Sequence, residues 1–338
     1  QAYLMMNPKV KQGIQVAISL GVAIWIFWFL YKDISFESLS KSVSETSFLL
    51  IGLSILVSIF GFWMRAWRWT LLIDADSSNQ TLTSRAFWAL MIGYLTNMLV
   101  PRAGELARCG VLAKTDDLQM GKLFGTVILE RTVDLLFLVF TIFLAFIIER
   151  HLFLQLFSEL VSLSTLVEKL TQYIPLLVGG FLVLAIFLYF AFQKYKDSNL
   201  LLKLRHFIRD LIKGVSSIKR VKNQFGFWGS SFALWMIYYV TLVLVAWAIP
   251  STANLSLSSL LMVMVMGSIG MVAPVQGGIG TFHALVAFIL IAYGLSESDG
   301  KIFAVIVHSS QVLTIVVFGL VSLGFFLKIT SNKEPKSS

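Results

Sequence analysis

Six stretches of this chain stay apolar for about the 20 residues that a helix needs to cross the hydrocarbon core of a bilayer: 14–30, 48–67, 123–148, 175–193, 228–249 and 302–327. Inside such a core every backbone polar group must be satisfied within the protein, so only helices and closed barrels cross it. Continuous apolar runs, rather than alternating ones, select helices. Hydrophobic residues make up 57% of the sequence and charged residues 13%, with a mean hydropathy of +0.82, which excludes a soluble globular domain. The expected fold class is an all-α polytopic membrane protein with six full spans and two further apolar regions, 86–112 and 257–294, interrupted by Pro, Gly and polar residues. A single transmembrane domain is expected over 1–338. It divides into an N-terminal half (1–193), a basic connector (194–227), a C-terminal half (228–327) and a short tail (328–338).

The net charge of +9 is concentrated rather than spread. Nine Lys and Arg between Lys194 and Lys222, against Asp197 and Asp210, supply +7 of it. A basic connector between spans is a positive-inside signal and a patch for anionic headgroups, so nucleic acid is not an expected partner. Lys9 and Lys11 precede the first apolar run, and Tyr31-Lys32-Asp33 follows it where a signal peptide would carry small residues, so a retained span is expected. By the same charge rule Arg65, Arg68, Arg85, the connector and Lys328, Lys333 and Lys336 lie inside, and the loops 31–47 and 149–174 lie outside. Both termini are then cytoplasmic. This assignment closes only if 86–112 enters and leaves from the cytoplasm and 257–294 enters and leaves from the outside, as re-entrant helix pairs or paired spans. The two regions also share a break: "MLVPRAGE" at 98–105 and "MVAPVQGG" at 271–278 both place Pro three residues after Met and Gly three after that. Either an inverted-topology repeat or shared helix-break chemistry produces that pattern.

The first break carries charge where charge is expensive. In "PRAGELARCGVL" (101–112) Pro101 suits the first turn of a helix, and Arg102, Glu105 and Arg108 follow at three-residue spacing, within pairing reach of one another. The next span carries Glu130, Arg131 and Asp134 in "ILERTVDLL". Upstream, Arg65 and Arg68 stand among Trp63, Trp67 and Trp69 and are expected to be interfacial anchors. Five Arg against three carboxylates leave an excess that suits a phosphate better than structural pairing would require. Arg102, Arg108 and Arg131 are the candidate lipid-phosphate ligands, and Glu105, Glu130 and Asp134 are the carboxylates that orient them. The competing reading is a set of salt bridges holding polar helix faces together. In the second break, "GSIGMVAPVQGGIGTFHALV", the glycines permit close backbone approach, bare amides or hinge motion. Pro101, Gly104, Pro274, Gly277, Gly278, Gly280 and His283 are the candidate gate. His283 and His308 lack Asp, Glu or Cys neighbours in sequence, so polar packing is expected of them and no metal. Cys109, the single cysteine, reads as a small core residue. No catalytic group and no cofactor is expected.

In "PRAGELARCGVL", "ERTVDLL" (130–136) and "PVQGGIGTFH" (274–283), in that order and at comparable spacing, the chain resembles the transmembrane, flippase-like family of lysylphosphatidylglycerol synthases. That family includes the membrane half of the bacterial multiple peptide resistance factor. The resemblance covers essentially the whole chain. It implies a helical bundle in the bacterial inner (cytoplasmic) membrane that moves or presents anionic lipids, phospholipids or polyprenyl-phosphate-linked sugars. It carries a functional role onto Arg102, Gly104, Glu105, Arg108, Glu130, Arg131, Asp134, Gly277, Gly278 and Gly280. Many relatives have Glu where this chain has His283, which removes the basis for assigning a proton or cation role there by resemblance. With no soluble aminoacyl-transferase domain after the last span, translocation is expected rather than catalysis. The alternative is an enzyme, or an enzyme's membrane subunit, transferring an aminoacyl or glycosyl group to a lipid. A third reading is a scaffold that recruits a glycosyltransferase partner through the connector.

Overall fold

The computed structural model describes residues 28, 36–76, 80–100, 102–152, 154–155, 217–273 and 275–331. Helices α1 (Phe36–Glu45), α2 (Phe48–Ile73), α3 (Thr83–Leu99), α4 (Gly104–Asp116) and α5 (Met120–Ile148) precede the connector. Helices α6 (Gln224–Ala248), α7 (Leu257–Val272), α8 (Thr281–Ala292) and α9 (Glu297–Ser331) follow it, and no strand occurs among the described residues. The chain is therefore an all-α polytopic membrane protein. Of these helices α2, α5, α6 and α9 are long and apolar enough to cross a membrane, and they fall on the spans expected at 48–67, 123–148, 228–249 and 302–327. The spans expected at 14–30 (Trp28 apart) and 175–193, Pro101, Pro274 and the connector up to residue 216 lie outside the described residues. Where the sequence predicts a plain loop at 31–47, the chain forms α1.

The long helices alternate in direction. The Ser47 amide, just before α2, donates to the Ala248 carbonyl at the end of α6 (2.8 Å). Farther along, Arg65 of α2 reaches Tyr238 of α6, and Arg68 reaches Ser231. Hence α2 and α6 are antiparallel. Trp69 Nε1 donates to Thr126 Oγ1 of α5 (2.9 Å) and Arg65 meets Glu130, so α2 and α5 are antiparallel as well. The end of α2 and the starts of α5 and α6 share one end of the bundle, where Asp74 is within electrostatic reach of Lys122 and Lys222.

Both interrupted regions are helix hairpins. Helices α3, α4, α7 and α8 have 17, 13, 16 and 12 residues. At 1.5 Å per residue these are about 18–26 Å long, short of a ~30 Å hydrocarbon core. In the first hairpin Arg85, near the start of α3, pairs with Asp116 at the end of α4, so its open ends lie together. Helix α9 runs beside α3, with Gly319 against Leu95 and Phe325 beside Trp88, which puts the C-terminal end of α9 at those open ends. The second hairpin opens the opposite way: α7 starts just beyond the end of α6, and α8 ends just before the start of α9. Each hairpin packs into its own apolar core. Ala66, Trp69, Phe87, Leu90, Cys109 and Leu112 belong to the first, and Val245, Val263, Phe282, Val286, Leu290 and Phe303 to the second.

Glycine sets how closely each pair of helices approaches. A Cβ on Gly104 would overlap the Gly93 carbonyl oxygen. A Cβ on Gly270 would stand 2.7 Å from the Phe282 Cα. The two tips meet where an Arg102 guanidinium N–H donates to the Val272 carbonyl (2.9 Å).

Candidate functional site

The charges expected to be costly in lipid converge between α2, α4 and α5. Glu130 is fully buried and accepts three guanidinium groups: Arg65 at 2.8 Å, Arg108 at 3.1 Å and Arg68 at 3.5 Å. One turn on, Asp134 takes Arg65, Arg68 at 2.7 Å and Arg131 at 3.6 Å. Glu105 of α4 holds Arg131 at 3.2 Å. Arg65 also donates to Tyr238 Oη (2.8 Å), and Arg68 to Ser231 Oγ (3.2 Å). The Arg108 guanidinium carbon lies 4.6 Å from the centre of the Trp69 ring, a cation–π contact that a dry surrounding strengthens. Four helices are thereby tied together by charge and polar contacts, and removal of one partner of such a buried pair costs about 3–5 kcal/mol.

Two expectations from the sequence are overturned here. Arg65 and Arg68 are not interfacial anchors: Arg68 is fully buried, Arg65 nearly so, and both serve the central carboxylates. The reason is register. Antiparallel α2 and α5 place residue 65 beside 130, so both arginines turn inward although Trp residues flank them. The second correction concerns Arg102. It does not join Arg108 and Arg131, because α4 begins only at Gly104 and Arg102 stands before it in the left-handed region (φ +61°), with its side chain across the hairpin tips. The series Arg102, Glu105, Arg108 therefore makes no pair within itself. Glu105 faces Arg131 and Arg108 faces Glu130.

The pairing leaves a surplus. Four guanidinium groups meet three carboxylates, and buried N–H groups on Arg68 (Nε), Arg108 (Nε and Nη2) and Arg131 (Nε) have no acceptor. Glu105 Oε2 is likewise unpartnered. Buried polar groups are nearly always satisfied, so these guanidinium donors are open to water or to an anion. Arg108, Glu105 and Arg131 line a crevice of about 10 Å³ with Leu90, Gly93, Tyr94, Asn97 and Gly104. That is room for about one water, so the crevice is narrow, with Arg131 partly exposed at its edge. Asn97, which no signal in the sequence selects, caps α4 from across the hairpin: its Oδ1 accepts from the Gly104 amide (2.7 Å).

At the second tip Gly277, Gly278 and Gly280 all have positive φ (57°, 75° and 89°), a conformation that side chains disfavour. His283 and His308, 25 residues apart in sequence, meet here at 3.3 Å. Of the expected gate residues, Gly104 thus lies at the first tip, and Gly277, Gly278, Gly280 and His283 at the second. Among the described residues no group of His, Cys, Asp and Glu could hold a metal ion. Cys109 is buried in the core of the first hairpin.

The sequence profile of the lysylphosphatidylglycerol synthase TM region matches residues 16–319. The chain belongs to that family. Lysylphosphatidylglycerol synthase TM regions are membrane segments with a lipid-related role, and the buried charge cluster, the two hairpins and the glycine-rich tip all fall within the matched residues. No curated protein and no solved structure matches the chain.

Proposed function

We propose that this chain translocates or presents an anionic lipid, a phospholipid or a polyprenyl-phosphate-linked molecule, whose phosphate is taken by Arg108 and Arg131. The observation that carries the reading is the set of buried guanidinium N–H groups left without acceptors beside the crevice between α4 and α5. Phosphate oxygens accept bidentate guanidinium bonds, and one phosphate would satisfy donors that the three carboxylates do not. Glu130, Asp134 and Glu105 hold the arginines in place, so little ordering is required when the anion arrives.

In this reading the two hairpins are re-entrant from opposite sides of a bacterial inner membrane. The crevice belongs to the first hairpin, whose open ends share the basic, cytoplasmic end of the bundle. The crevice is too narrow to enclose a phosphate, so in this reading α4 moves off α5 to admit it between Arg108 and Arg131. Arg102, bound to the second tip, links that movement to the glycine-rich break, and the second hairpin would open the other face. Group transfer to a lipid would need a free carboxylate as general base. Glu130 and Asp134 are each clamped by three arginines, which disfavours them as general bases and leaves Glu105, with Oε2 unpartnered, as the carboxylate that alternative would use.

The test is translocation of a fluorescent anionic lipid in vesicles containing the purified chain, with a zwitterionic lipid as control. The native protein should move the anionic lipid faster. The Arg108→Gln/Arg131→Gln variant, checked for folding by circular dichroism, should lose that advantage. Equal rates for native and variant protein would remove the mechanism.

A further inference from the structure

The second hairpin contains a hydrogen-bond chain that the phosphate site does not use. The Gly280 amide donates to His283 Nδ1 (3.3 Å), His283 Nε2 faces His308 Nδ1 (3.3 Å), and His308 Nε2 faces the Gly277 carbonyl (2.9 Å). The backbone at either end fixes the protons in between. A carbonyl only accepts, so His308 carries its proton on Nε2 and its Nδ1 is a lone pair. An amide N–H only donates, so His283 Nδ1 is a lone pair and Nε2 carries the proton. Two neutral rings, each protonated at Nε2, satisfy every contact from Gly280 to Gly277. Both rings are buried, and Phe282 lies against them, 5.8 Å from His283 and 5.4 Å from His308 between ring centres.

One more proton has nowhere to go without breaking this chain. Placed on His283 Nδ1, it faces the Gly280 N–H. Placed on His308 Nδ1, it faces the His283 N–H. Either way two donors confront each other, and a cation is created in an apolar pocket. The hydrogen bonds that then break are those that cap α8 and tie α9 to the loop of Gly277, Gly278 and Gly280, whose glycines permit a change of backbone path.

We propose that His283 and His308 form a proton-binding site, and that uptake of one proton releases the tip of the second hairpin. The link to lipid movement rests on the transport reading above, for which it names a proton as the regulating or driving ion; the proton site itself does not rest on it. Helices α2, α4 and α6, which also pack along α9, bring Arg65, Arg68, Glu105, Arg108, Lys114, Asp116, Tyr238 and Tyr239, and ionisable groups on the hairpin itself are few. Helix α7 has none, and α8 has only His283. Helix α9 brings Glu297, Asp299 and Lys301 two to three turns before His308, with Lys328 far beyond it, and α3 brings Arg85 and Tyr94. Arg102 approaches the tip through Val272.

The experiment is hydrogen–deuterium exchange of the full chain in lipid nanodiscs between pH 8 and pH 5, corrected for intrinsic exchange. Protection of the amides from 277 to 283 should hold steady down to about pH 6.5, the ordinary imidazole value. Below that it should fall by about tenfold per pH unit for one proton. In the His283→Asn/His308→Gln variant, which keeps donors and acceptors but cannot take the proton, protection should not depend on pH. Nitrogen NMR of histidine-labelled native protein checks the starting point without a variant: one N–H per ring, at Nε2, at pH 8. Constant native protection, an equal fall in the variant, or an N–H at Nδ1 of either ring at pH 8 each overturn the proposal. A native protein that shows this switch yet moves no anionic lipid would refute transport and leave the proton site standing. One that moves lipid with no change in protection would do the reverse.

Discussion

The hairpin α3–α4 surrounds its break with Arg102, Glu105 and Arg108, whereas α7–α8 surrounds its own with Gly277, Gly278, Gly280 and His283. The two share a plan: short helices, a close approach that glycines permit, and open ends at opposite ends of the bundle. They differ in what fills the tip. The first is held by charge, through Glu105 and Arg108 to α5, and it keeps guanidinium donors in reserve. The second is held by neutral hydrogen bonds and by glycines at positive φ. Charge pairing in a dry interior is strong and selective, which suits binding. Neutral rings and glycines rearrange at little cost, which suits movement. One architecture thus carries two chemistries, divided between its halves.

The largest effect should follow from breaking the charged half at its centre. Glu130→Gln leaves Arg65, Arg68 and Arg108 without their shared counter-charge, and should lower stability by about 3–5 kcal/mol in a thermal unfolding assay in detergent. A variant that melts with the native protein would mean that the cluster is solvated. Next comes Gly104→Ala, whose methyl would overlap the Gly93 carbonyl oxygen. It should cost about 3 kcal/mol and separate α3 from α4, read as faster exchange of the Gly104 amide. Gly277→Ala sharpens the contrast, because its methyl meets open space and only the φ of 57° opposes it. About 1–2 kcal/mol is expected. If Gly277→Ala proves costlier than Gly104→Ala, the second tip is the more tightly built of the two. The smallest effect should come from Arg102→Gly, which relieves a left-handed backbone while deleting the bond to Val272. Its stability should stay within about 1 kcal/mol of native, yet coupling between the tips should weaken, so that exchange at 277–283 no longer responds when the first hairpin is perturbed.

Much of this is legible in the sequence, for reasons that differ by residue. Apolar run length locates the long helices, because a bilayer demands about 20 apolar residues of any chain. The opposite openings of the two hairpins follow from the positions of Lys and Arg in the connectors. Helix α1 escapes notice because its lysine, glutamates and serines resemble a polar loop when no partner is in view. Arg65 and Arg68 mislead because their Trp neighbours are what an interfacial anchor has, and only the antiparallel register of α2 against α5 turns them inward. Helical spacing groups Arg102 with Arg108, and that grouping fails once the helix starts two residues after Arg102. The pairing of His283 with His308 has no local signal at all. It exists because α8 and α9 pack side by side, and each ring finds a backbone partner in the glycine loop.

The central claim is that open guanidinium groups on Arg108 and Arg131 take a lipid phosphate. Its most direct test is a nitrogen–phosphorus distance measurement by solid-state NMR, with labelled arginine in the full chain and an anionic phospholipid as the only source of phosphorus. A contact of about 4 Å, a guanidinium–phosphate separation, is expected. It should persist in Arg102→Gly and vanish in Arg108→Gln/Arg131→Gln. A contact that survives loss of both arginines, or no contact in the native protein, would contradict the account.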